Sequence, residues 1–370
     1  MFAARRVKSL GRYAHCIPWL AGRRGRRQYR AEVANQLFAV RIFARQLRGK
    51  MGQTLSEPIT KKKSACCRDS NYRVGSSCMQ GWRIKMEDSH VHILSLPTDP
   101  GTAFFAVYDG HGGATMSQYA GKHLHEYITR RSEYKAGDIV EGIQQGFLEL
   151  DKAMQNNAAL RDEHAGTTVI ALLIKNNILY SANAGDSRAV ACINGRTVPL
   201  SRDHKPTLKD ERKRIEAAGG YVEYKRVNGN LALSRALGDF IFKRNDQKPP
   251  QEQIVTAFPE VQQFPIDEGW EFVVLACDGI WDVMTSEEVV NFVRTRIAQI
   301  NLGARDSHHE IVSIHPEEIC EELLNCCLAP DALMGTGCDN MTMILVCFLH
   351  GKPCSRLVMR CQEPPSDVDQ

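Results

Sequence analysis

Four aspartates in this chain each adjoin an apolar run, and their side chains are the ones best suited to chemistry. Phe104–Tyr108 runs into Asp109-Gly110-His111-Gly112-Gly113, and Phe272–Cys277 runs into Asp278-Gly279-Ile280-Trp281-Asp282. Ile178–Ala184 leads to Gly185-Asp186-Ser187-Arg188, whereas Cys338-Asp339-Asn340 opens the run Met341–Phe348. A single Asp-Gly after a strand is ordinarily a turn. Four carboxylates at the mouths of strands of one core are harder to explain that way. If those strand ends converge, the charges repel one another in a poorly solvated place, and divalent cations are the natural compensation. The donors are hard oxygens, with no His-x-x-x-His pair or cysteine cluster beside them. That favours Mg²⁺ or Mn²⁺ over zinc. The competing reading is a set of solvated loop acids that cap nearby helices.

Positioning these residues requires strands. Apolar runs predict strands at 91–96, 103–108, 169–174, 178–183, 189–193, 272–276 and 341–348. Most are nearly continuous, as expected for strands covered on both faces or lying in a sandwich core. Helical periodicity predicts helices over 114–129, 138–156, 209–218, 286–299 and 316–328, the third stopping at Gly219-Gly220. Pairs of strands are followed by pairs of helices, without regular βαβ alternation. The expected fold is therefore α+β, with antiparallel sheets flanked by helices. Residues 220–258 read as an irregular flap, and one domain over 72–349 is expected.

Composition narrows the class. The 370 residues are 43% apolar and 24% charged, which excludes a largely disordered or collagen-like chain. No run reaches the roughly 18–20 apolar residues of a membrane-spanning helix. Thirteen cysteines without a Cys-x-x-Cys pair argue for a reducing compartment rather than a disulfide framework. Residues 1–50 carry 13 Lys/Arg and one acid, Glu32, so that +12 sits on the leader and −8 on the remainder. An acidic body argues against a nucleic-acid-binding face. The leader has the composition of a mitochondrial transit peptide, apart from scarce serine. Met51-Gly52-Gln53-Thr54-Leu55-Ser56 offers a second start, after which Gly52 could be myristoylated, with Lys61–Lys63 and Cys66-Cys67 as a second membrane signal. Residues 51–71 read as a linker, 301–315 as an insertion carrying His308, His309 and His315, and 350–370 as an irregular tail.

Six ordered motifs then carry a resemblance: Arg83-Ile84-Lys85-Met86-Glu87-Asp88, Tyr108-Asp109-Gly110-His111-Gly112-Gly113, Ala165-Gly166-Thr167-Thr168, Gly185-Asp186-Ser187-Arg188, Cys277–Asp282 and Asp339-Asn340-Met341-Thr342. A seventh, Asn228–Asp239, lies in the flap. Together they resemble the metal-dependent PPM (type 2C) serine/threonine phosphatases, with the alpha/beta type of animals the most similar. The resemblance implies two antiparallel sheets between pairs of helices and a two-metal centre at one end.

By matching position, Asp109 is expected to bridge two Mn²⁺ or Mg²⁺ ions. Asp278 and Asp339 would hold one, and Glu87 with the Gly110 carbonyl the other, with Asp88 orienting them. Asp186 and Asp282 resemble a weaker third site. A water between the ions would attack phosphorus in line. Arg83 would grip the phosphate, and His111 would protonate the departing oxygen. Thr167 and Thr168 are expected to support the site, Lys205 to contact substrate or flap, and Cys277 to be a small buried residue rather than a nucleophile.

Implied partners are phosphoprotein substrates and no nucleic acid. The protein is expected to be a monomer, with peripheral membrane contact if Gly52 is acylated. The implied location is cytoplasm or nucleus, with the mitochondrion as alternative if residues 1–50 act as a transit peptide. A catalytically dead scaffold would have lost metal aspartates, and all are present. The reading is a phosphoserine/phosphothreonine protein phosphatase, with a metal-dependent hydrolase of small phosphoesters as the second alternative the motifs leave open.

Overall fold

The structure is a computed structural model that describes residues 54–160, 164–300 and 313–365. The basic leader, the Met51-Gly52 start and most of the 301–315 insertion lie outside the described residues. The chain enters through β1 (Thr54–Arg68) and β2 (Tyr72–Arg83), then β3 (Ser89–Ile93), β4 (Ala103–Tyr108) and the two-residue β5 (Gly110–His111). Helices α1 (Thr115–Thr129), α2 (Ser132–Lys135) and α3 (Ile139–Asn156) follow. Next come β6 (Gly166–Thr167), β7 (Val169–Lys175), β8 (Ile178–Ala184), β9 (Arg188–Ile193), β10 (Arg196–Pro199) and α4 (Lys209–Ala217). Short β11 (Val222–Glu223), β12 (Arg226–Val227) and β13 (Leu237–Gly238) precede β14 (Glu260–Pro265) and β15 (Trp270–Ala276). Last are α5 (Asp278–Trp281), α6 (Ser286–Ala298), α7 (Pro316–Cys327), β16 (Met341–Phe348) and α8 (Cys354–Gln362).

Two sheets dominate, ordered β1-β2-β16-β15-β9-β10 and β14-β8-β7-β4-β3. Every neighbouring pair in them is antiparallel. Tight turns set the registers of two hairpins. Asn176 and Asn177, both with positive φ, turn β7 into β8, and Asn194-Gly195 does the same between β9 and β10, the two-residue geometry that suits twisted strands.

Side-chain alternation explains why the strand sequences are apolar throughout. In β4, Phe105 and Val107 face β15 and β16 residues Val273, Leu275, Ile344 and Val346 in the layer between the sheets. Phe104, Ala106 and Tyr108 face outward onto α1 and α3, meeting Leu124, Ile143 and Phe147. On the far side, Phe272, Val274 and Leu345 pack under α6, α7 and α8, against Val290, Val293, Leu323 and Val358. The arrangement is helix–sheet–sheet–helix, as the family resemblance implies. α6 begins at a capping box: Thr285 Oγ1 accepts from the Glu288 N–H at 3.2 Å, and Glu288 Oε2 accepts from the Thr285 N–H at 2.8 Å.

Two expectations need correction. The supposed linker 51–71 contains the fifteen-residue strand β1, which pairs with β2 and forms one edge of the six-stranded sheet. β1 is a polar edge strand with Pro58 and three lysines, features that suit an edge and hide it from hydrophobic periodicity. The supposed irregular tail contains α8, a nine-residue amphipathic helix anchored by Leu357, Val358 and Cys361. β3 also lies two to three residues earlier than predicted.

Candidate functional site

The sheet registers carry the scattered acidic residues to one end of the sandwich. Tyr108 at the end of β4 lies opposite Ser89 at the start of β3, and Val107 lies opposite Ile170 near the start of β7. In the other sheet, Ala276 at the end of β15 lies between Arg188 and Met343, the first residues of β9 and nearly of β16. Asp88, Asp109, Asp186, Asp278 and Asp339 therefore all leave or enter strands at the same edge.

Three ligand atoms, one each from Asp88, Asp109 and Cys277, lie within 4.8 Å of one another. Asp88 Oδ2 accepts from Thr342 Oγ1 at 2.6 Å, whereas its Oδ1 is buried with no partner. The carboxyl of Asp109 is pushed well above the usual carboxylate range by burial, then by Asp278, Asp88, Asp339 and Asp186. Asp278 is raised by burial and by Asp186, Asp339 and Asp282, with Lys205 opposing. Asp88 is raised by burial and by Asp339, against the Thr342 hydrogen bond. Asp282, one helical turn from Asp278, donates its N–H to the Asp278 carbonyl at 2.9 Å, and its own side chain is exposed. The carboxylates here outnumber the cations that reach them, and a buried oxygen without a partner, Asp88 Oδ1, lies among them. Oxygen-rich donors with that deficit fit a hard divalent cation. The thiol of Cys277 is buried and pushed well up by desolvation, and its sulfur accepts from the Thr342 N–H at 3.2 Å and donates to the Asn340 carbonyl at 3.5 Å.

Two side-chain cations reach into the cluster. Arg83 Nη2 bonds Asp339 Oδ2, and Lys205 Nζ bonds Asp186 Oδ2. The backbone around these acids is held firmly. The Asp109 carbonyl accepts from the Thr168 N–H at 2.9 Å and from Thr167 Oγ1 at 3.1 Å, the support expected of both threonines. Gly110 pairs with Thr167, and the Glu87 carbonyl accepts from Ser117 Oγ. Asn340 ties the two sides together: its Oδ1 accepts from the Glu87 N–H at 2.9 Å, while its Nδ2 donates to the Gln80 and Lys85 carbonyls at 2.8 and 3.0 Å.

A small third sheet, β13-β6-β5, builds the rest. His111 lies opposite Gly166, and Gly166 lies opposite Gly238, so Asp239 emerges beside the imidazole. His111 Nε2 is 2.7 Å from Asp239 Oδ2. A Cβ at Gly166 would stand 2.3 Å from that oxygen and 2.6 Å from that nitrogen, so only glycine leaves room for the pair. Burial disfavours the imidazolium, yet Asp239 outweighs it and the histidine is raised above its ordinary value. The loop that carries Asp239 is fixed from α3: Asp151 Oδ1 accepts from the Gly238 N–H at 2.8 Å, and both Asp151 oxygens accept from Lys243 Nζ at 2.8 Å. Sequence reasoning singled out the motif ending in Asp239 but gave that residue no role. Its left-handed backbone, φ 50°, and its pairing across 128 residues appear only in three dimensions.

Comparison with known proteins agrees with this geometry. The family model described as Protein phosphatase 2C matches residues 72–333. Over 315 residues the chain is 56% identical to a probable protein phosphatase 2C of Caenorhabditis elegans, with 85% of each chain covered. It is 48% identical to protein phosphatase 2C homolog 2 of Hypocrea jecorina, covering 82% of this chain and 68% of the relative. A crystal structure of a phosphatase from Toxoplasma gondii matches with TM-score 0.64 at 26% identity, over 79% of this chain and 97% of that one. Family, fold and converging acidic site agree: this chain belongs to the protein phosphatase 2C family, the metal-dependent PPM phosphatases, and is a protein serine/threonine phosphatase.

Proposed function

We propose that Asp109, the Gly110 carbonyl, Glu87, Asp278 and Asp339 hold two Mn²⁺ or Mg²⁺ ions, with Asp186 and Asp282 contributing a weaker third position. The unpartnered Asp88 Oδ1 amid raised carboxylates is the observation that carries this reading. When bound, such ions supply a water of lowered proton affinity as nucleophile and neutralise phosphoryl charge.

The chain's own residues do the rest. Arg83, with its side chain 40% exposed, reaches the mouth of the site and can exchange its Asp339 partner for two phosphoryl oxygens. Asp239 engages His111 Nε2, which leaves Nδ1 to hold the proton for the departing serine or threonine oxygen. Thr342 and Asn340 fix Asp88 and the Glu87 backbone, so the ligand set is preorganised. Phosphoproteins are the substrates.

The test is hydrolysis of a phosphothreonine peptide by the full chain. Manganese is expected to stimulate it, and chelator or Asp278→Asn to abolish it. Activity that survives chelation would refute the metal-dependent route.

A further inference from the structure

Asp203-His204-Lys205-Pro206 is anchored through Asp203 and His204, and its lysine side chain extends from that base to the acidic cluster. Arg188 donates to both Asp203 oxygens, at 2.9 and 2.8 Å. The His204 N–H donates to the Gly185 carbonyl at 2.8 Å, the Gly185 N–H donates to His204 Nδ1 at 3.2 Å, and the His204 carbonyl accepts from the Ser234 N–H at 3.1 Å. The backbone before Lys205 is therefore fixed, and only the lysine stem is free to move.

That stem places its ammonium on Asp186 Oδ2. The two partners differ in exposure: the Asp186 side chain is 5% exposed and that of Lys205 is 37% exposed. The ammonium has a route to water that the carboxylate lacks. Asp278 and Asp282 act on the same ammonium and strengthen its hold.

We infer that Lys205 is a tethered counter-cation that occupies the outer carboxylate position made by Asp186, Asp278 and Asp282, and that it must swing out before a divalent ion binds there. This rests on the metal reading given above. An ammonium in contact with Asp186 Oδ2 blocks that oxygen and repels an incoming dication. Because the lysine is tethered, it competes at high effective concentration. The apparent affinity of the outer position falls by the fraction of time that the lysine has vacated it. Lys205 thus sets how much free metal the third position needs, and is a positioning residue rather than a catalytic one.

The experiment is a Mn²⁺ titration of the full chain without substrate, followed by the electron paramagnetic resonance of free Mn²⁺. Lys205→Gln is expected to tighten the weakest binding step by about tenfold, the size of one lost charge–charge repulsion near the surface. Lys205→Arg, which keeps the charge, is expected to leave that step weak. A second readout uses the unmodified protein: acetylation of Lys205, followed by mass spectrometry, should be slow without metal and faster at saturating Mg²⁺. If Lys205→Gln does not fold, this labelling decides alone. A weakest step unchanged or loosened in folded Lys205→Gln, or labelling that Mg²⁺ does not raise, would overturn the inference. Should the wild-type chain bind no Mn²⁺ at all, the metal reading itself fails and the counter-cation goes with it.

Discussion

His111 and Asp239, 128 residues apart, meet through Nε2 and Oδ2 at 2.7 Å, and neither belongs to the cluster of carboxylates beside them. On the proposed mechanism the pair would deliver the proton while the carboxylates hold the metal. Asp239→Asn and His111→Ala are both expected to slow hydrolysis of a phosphothreonine peptide by about 10²–10⁴-fold, the usual span of general acid catalysis. An aryl phosphate, whose leaving group needs no proton, should lose far less. Equal losses on the two substrates would remove the general-acid role.

Gly166 makes a sharper version of the same test, because it has no side chain to take part in either role. Its missing side chain is the space in which the pair sits, 2.3 Å from Asp239 Oδ2. Gly166→Ala is expected to reproduce the leaving-group-selective loss, by at least about tenfold on the phosphopeptide. Stopped assays on both substrates side by side check it.

Glu211 governs the base of the flap. It is 1% exposed and joins three partners: Arg235 through Oε1 at 2.6 and 3.0 Å, Arg214 through Oε2 at 2.7 Å, and Ser234 through Oε2 at 2.5 Å. Burial opposes its charge, but the two arginines win and hold its carboxyl at about 2 against an ordinary 4.5. A depressed carboxylate stabilises the folded state above its unfolded value and loses that contribution as pH falls through the folded one. Thermal unfolding should therefore show stability draining between pH 4.5 and about 2 in the wild type. In Glu211→Gln that segment should flatten, with a cost near neutrality of about 3–5 kcal/mol for a broken buried pair.

Gly75 on β2 reports how closely α7 docks. A Cβ there would stand 2.1 Å from the backbone nitrogen of Glu317. Gly75→Ala is expected to destabilise the fold by about 1–3 kcal/mol, the usual penalty of overpacking. Denaturant unfolding measures it, and an unchanged midpoint would show that α7 retreats freely.

The same contact explains what could be read from the sequence. β4, β15 and β16 are legible because both of their faces are buried, so their runs are apolar without a break. β2 is buried over Val74–Met79 yet yields no continuous apolar run, because Gly75, Ser76 and Ser77 are small where α7 presses on the sheet. The edge strand β1 is too polar for an apolar run to mark, and α8 presents only Leu357, Val358 and Cys361 as buried anchors. Of the site, Asp109, Asp186, Asp278 and Asp339 were legible as acids at strand ends. Asp239 was not, since its meaning depends on three two-residue strands pairing across the chain.

The central claim is that acids from the ends of β4, β8 and β15 and the start of β16 gather around shared cations. Anomalous diffraction at the manganese edge, on crystals grown with Mn²⁺, tests it most directly. Two strong peaks are expected within ligand distance of Asp109, Asp278 and Asp339. Crystals with Mn²⁺ in the medium and no peak among those carboxylates would contradict the account.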